Sequence, residues 1–145
     1  MIEIQPNDIV YKLDKNVSNL TDIKIPQNAT VFDASDCEKF HDIKSLNKYP
    51  ALRVLLLSRT DIRSTDLQHL PTFIEAVDIR HCPNLSSYSH LPHREKKPLQ
   101  VLISFGGERI LNSIPDGVDI EIEGWINTIC HKRKENILAI QNTRA

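Results

Sequence analysis

Three cysteines, six histidines and one short basic run are the residues of this chain whose types could do chemistry. Cys130-His131 is the pair best suited to a reactive thiol, with Lys132, Arg133 and Lys134 beside it to favour the thiolate. On a helix, however, adjacent side chains point about 100° apart and do not face each other. A buried Cys beside a solvated basic edge accounts for the same residues. The histidines at positions 41, 69, 81, 90, 93 and 131 form no H-E-x-x-H, and no C-x-x-C accompanies them, so a zinc site has little support. His90 and His93 are near enough to share an ion, but loop histidines commonly stand alone. G-x-S-x-G, Walker and dinucleotide fingerprints are absent, and four glycines leave little material for phosphate-cradling loops. These residues name no reaction, and neither a metal nor another cofactor is expected.

The bulk properties narrow the field further. A chain of 145 residues, 40% hydrophobic and 26% charged, has the make-up of one ordinary globular domain. Eighteen Lys and Arg against nineteen Asp and Glu leave a formal charge of −1, so no global field draws it to nucleic acid. The run His131-Lys-Arg-Lys134 near Trp125 could touch phosphates, yet a single basic stretch reads more simply as a solvated face. No apolar run approaches the ~20 residues of a membrane span. The first residues lack a basic start and an apolar core, and the cysteine count is odd; a cytoplasmic setting is expected, with export as an effector by a route needing no cleavable signal equally compatible. In that setting the N-x-Ser/Thr triplets at Asn16, Asn19, Asn28 and Asn84 are chance occurrences.

The elements that would position any working residue come from a recurrent spacing. Leu52-x-x-Leu55-x-Leu57-x-x-Thr60 is followed 22 residues on by Ile74-x-x-Val77-x-Ile79-x-x-Cys82. Ala29-x-x-Phe32-x-Ala34-x-x-Cys37 precedes them, and Leu99-x-x-Leu102-x-Ser104-x-x-Gly107 follows. The closing positions 37, 60, 82 and 107 are 23, 22 and 25 residues apart, the signature of a repeat array. Asp42–Tyr49 and Ser64–Leu70 read as short helical returns, the second with Ser64 or Thr65 as N-cap and Asp66 in the first turn. Residues 1–28 are expected to cap the array, although Asp8–Leu13 could be a strand or a short helix. At the other end, Val118, Ile120 and Ile122 alternate with acidic residues as a half-solvated strand does. From Trp125, Ile126, Ile129, Cys130, Ile137 and Ile140 recur near helical spacing, giving a C-terminal helix.

The L-x-x-L-x-L-x-x-(Asn/Cys/Thr) spacing of residues 29–110 resembles the leucine-rich-repeat family, with short, irregular repeats like those of bacterial effectors. The resemblance implies an α/β fold: a short solenoid with parallel strands on its concave face, short helices or turns outside, and a helix closing the C-terminal end. It divides the chain into a cap (1–28), about four repeats (29–116) and a strand-and-helix cap (117–145). The repeat anchors Cys37 and Cys82 would then be buried and structural. About two strand spacings apart, roughly 10 Å, they are too distant for a disulfide.

Lining up the repeats puts three rows on the concave face. The first is Asp33, Leu56, Asp78 and Ile103; the second Ser35, Ser58, Arg80 and Phe105; the third Asp36, Arg59, His81 and Gly106. Leu56, Arg59, Asp78, Arg80, His81 and Phe105 are the candidate partner-binding residues, since Arg and aromatic groups in an apolar setting make binding hot spots. The expected function is non-catalytic capture of another protein, as an adaptor, effector or inhibitor. The alternative is a small α/β enzyme, or the substrate-recruiting domain of a ligase, using Cys130 or a His.

Overall fold

The computed structural model describes residues 2–94, 96–106, 108–124 and 130–131. Its seven strands lie side by side in chain order: β1 (Val10–Lys12), β2 (Val31–Asp33), β3 (Val54–Leu56), β4 (Ala76–Asp78), β5 (Gln100–Ile103), β6 (Asp119–Ile122) and β7 (Cys130–His131). The first six are parallel and β7 is antiparallel to β6. Matched residues Val10, Val31, Val54, Ala76, Gln100 and Asp119 follow one another at steps of 21, 23, 22, 24 and 19 residues. The protein is therefore α/β, with a six-stranded parallel sheet and little helix. Among the described residues, no helix is long and apolar enough to cross a membrane.

Alternation along each strand explains why the core forms on one side of the sheet. Phe32, Leu55, Val77, Val101 and Ile120 stand in register and are at most 2% exposed. Two residues further on, Ala34, Leu57, Ile79, Ile103 and Ile122 form a second buried row. Tyr11 stacks on Phe32 at 6.2 Å and Phe32 meets Phe40 at 5.4 Å, which extends the core to the β1 edge. Truncating Phe32 to Ala would cost about 3–5 kcal/mol. The return segments are 3-10 helices, Lys44–Lys48 and Ser64–His69, and each turns one leucine, Leu46 or Leu67, into this core. A four-residue helix, α1 (Glu108–Leu111), follows β5.

Several expectations change in detail. The Asp8–Leu13 segment is a strand, so the region read as a cap supplies β1. Arg63, not Ser64 or Thr65, is the N-cap of the second 3-10 helix, and Asp66 reaches back to accept its backbone N–H at 2.9 Å. The fourth repeat lies one residue out of the expected register: Val77 faces Val101 rather than Leu102. A one-residue slip exchanges the two faces of a strand, so Ile103 is buried in the core and Leu102 takes its place on the outer face. At the C-terminal end, Cys130 and His131 are strand, not helix, because their backbones join the ladder of β6. The rest of the expected helix, and Gly107, lie outside the described residues.

Candidate functional site

β2, β3 and β4 each end in a tight turn closed by a small buried side chain, Cys37, Thr60 or Cys82. Thr60 donates its hydroxyl to the Leu57 carbonyl at 2.8 Å, and the Cys82 thiol lies 3.2 Å from the same oxygen. Cys37 sits 3.6 Å from the carbonyls of Leu13 and Asp14. These contacts satisfy loop carbonyls that the ladder leaves unpaired. Both cysteines are free and buried, and burial pushes each thiol above its ordinary pKa. That is the opposite of what a nucleophile requires.

The residue before each anchor is held in the left-handed region. Asp36, Arg59 and His81 have φ of 65°, 55° and 56°, and Gly124 occupies the matching place after β6 with φ of 80°. This conformation suits Gly, Asp and His but strains Arg. It also lifts each side chain off the sheet. The Arg59 side chain is 59% exposed and its guanidinium lies 3.7 Å from Asp36. Arg59 and His81 form the walls of an open groove with Glu38, Asp61, Pro83 and Asn84. Asn84 is held there by a side-chain hydrogen bond to Asp61.

Beside the groove lies a charged cluster. Asp78, 4% exposed on the outer face of β4, accepts Nε and Nη2 of Arg80 at 3.0 and 2.8 Å and the Arg80 backbone N–H at 3.1 Å. This fork raises the Arg80 pKa further above its ordinary value. Nη1 of Arg80 reaches Glu123, whose other carboxylate oxygen is 2.9 Å from Nε2 of His81. The His81 contact, followed by Arg80, holds the Glu123 carboxyl below its usual range. Arg80 and Glu123 belong to strands separated by β5, and Ser104 lies between them; its short side chain leaves room for the two to meet. Ser104 also accepts the His81 backbone N–H at 3.2 Å.

Of the sequence-derived candidates, Asp78, Arg80 and His81 form one bonded cluster, and Arg59 lines the same groove as His81. Phe105, 45% exposed, occupies the turn after β5 in the row of His81, not of Arg80 as expected. Leu56 is half-buried, packs on Val31, Val54 and Ala76, and stands in register beside Asp78. Glu123 was missed, although the Val118–Ile122 alternation already set it on the solvated face; continuing the rows into β6 would have found it. Cys130 contributes its backbone to β7, and the described residues include no group of three His, Cys, Asp or Glu able to hold a metal ion. Compared with family models, curated proteins and solved structures, the chain has no match.

Proposed function

We propose that the chain is a small, non-catalytic repeat protein of the leucine-rich-repeat type that binds another protein through the turns at its strand ends. The observation that carries this reading is the αL row Asp36, Arg59 and His81. Three successive turns hold polar side chains outward in a conformation that costs energy for Arg59, and such strain is concentrated at functional sites. The fixed cluster of Asp78, Arg80 and Glu123 flanks them, so a partner would meet a preorganised charged surface at little ordering cost. Buried, raised-pKa thiols add nothing toward an enzymatic reading.

The test replaces displayed groups without touching the supporting fork. Arg59→Asp with His81→Asn keeps residues that tolerate αL, whereas Arg80→Glu would crowd a third carboxylate against Asp78 and Glu123. Capture from lysate by the wild type, lost in a double variant of unchanged circular dichroism, supports the reading. Equal capture by the double variant would sink it.

A further inference from the structure

At the strand starts, the outer face of the sheet is covered. Val31, Val54 and Ala76 stand in register on β2, β3 and β4, pointing away from the main core, yet are 0%, 0% and 4% exposed. Ile2 and Leu56 pack on them, and Ile2 also lines a small cavity with Leu102 and Glu121. Residues 2–8 thus run across the sheet from β1 toward β6. Arg53 holds them at two points: its Nη2 donates to the Glu3 carbonyl at 2.9 Å, and its fork grips Asp8. Asp8 is fixed independently of the segment's far end, by the Thr30 hydroxyl at 2.8 Å and the Gln5 N–H at 2.6 Å. Toward Ile2 the hold is slighter, since Ile4 is 47% exposed and only Ile2 reaches the apolar floor.

We propose that residues 2–7 are a displaceable strap filling, in cis, a site for an extended peptide. Such a peptide would seat a branched aliphatic side chain on Val31, Val54 and Ala76 and offer a backbone carbonyl to Arg53. The contact with Glu3 is to the main chain and so is independent of side chain, while the Val-Val-Ala floor selects for shape. The Asp8–Arg53 fork stays in place when the strap lifts, and the turn at Gln5–Asp8, closed by the Asp8 N–H on the Gln5 carbonyl at 3.0 Å, serves as the hinge. A closed strap lowers the apparent affinity for an incoming peptide by the fraction of molecules that are open. The inference goes beyond the proposed function, which uses the strand-end turns, and adds a second site at the strand starts.

A labelled octapeptide, Met-Ile-Glu-Ile-Gln-Pro-Asn-Asp, titrated with the full chain tests it. The Ile2→Ser chain is expected to bind the peptide at least fivefold more tightly than wild type. Adding Leu56→Asp should abolish binding, as should Ser for Ile at the second position of the peptide. Equal affinity of wild type and Ile2→Ser, or no binding to a folded Ile2→Ser chain, overturns the strap. If Arg59 and His81 still govern partner capture in that case, the proposed function stands without it.

Discussion

At the strand starts Arg53 reaches over Thr30 to fork Asp8; at the strand ends Arg80 forks Asp78 and reaches over Ser104 to Glu123. Both arginines span a strand that carries a small hydroxyl residue, and both use the planar geometry that suits a carboxylate. Their surroundings differ. The Asp8 side chain is 5% exposed and its fork lies beside an apolar floor that a strap covers. Glu123 is 39% exposed, beside an open groove. The same chemistry closes one half of the sheet face and displays the other. Pairs as exposed as Arg80–Glu123 contribute about 0–1 kcal/mol, so the strand ends can present charge with little consequence for folding.

The closed half should be the sensitive one. Val54→Asp puts an unpaired carboxylate under the strap and should cost about 4 kcal/mol or more, read as loss of the cooperative denaturant transition. Asp78→Ala, at the boundary between the halves, should cost about 2 kcal/mol, because it strips three donors of a mostly buried acceptor. A cost as small as that of an exposed pair would move Asp78 to the displayed side of the comparison. Asp8→Asn should act through pH. The Arg53 guanidinium, then the Gln5 N–H, holds the Asp8 carboxyl well below the usual range. A depressed folded-state pKa gives stability that is complete above the unfolded value near 4 and is lost as pH falls below it. Wild type should therefore be the more stable at neutral pH, and the two urea-midpoint curves should converge in acid; parallel curves would deny Asp8 this role.

Two smaller effects sharpen the contrast at the displayed half. Arg59→Asn should raise stability by up to about 1 kcal/mol, since Asn accepts the 55° φ that Arg resists. A loss of stability would show that the Arg59 side chain holds the fold. Glu123→Gln should leave the free energy of unfolding within about 0.5 kcal/mol of wild type.

The middle of this fold was legible because β2, β3 and β4 each follow a plain alternation and end on a small side chain that fits under a turn. At the ends, the pattern admitted rivals. Asp8-x-x-Tyr11-x-Leu13-x-x-Asn16 has the repeat spacing, but a charge opens it and the exposed Asn16 closes it, so the segment reads as a cap rather than a repeat. In Leu99–Phe105 the L-x-x-L-x-S match required Ser104 in the core; the chain instead buries Leu99, Val101 and Ile103, three aliphatic residues at period two. That choice re-sorted the outer rows and moved Phe105 beside His81. Ile129 and Cys130 suit a strand or a helix equally, and only pairing with β6 decides for Cys130. Asp78, Arg80 and His81 lie on and just after β4, in the regular part of the pattern; the bonds of Arg80 and His81 to Glu123 depend on a sixth parallel strand that no repeat match covered.

Partner capture by wild type and by Arg59→Asp/His81→Asn, side by side with thermal melts, tests the central claim most directly. The account expects a protein retained by wild type and lost from the double variant, with the double variant still melting cooperatively. Retention of the same protein by both would contradict a working surface at the strand-end turns.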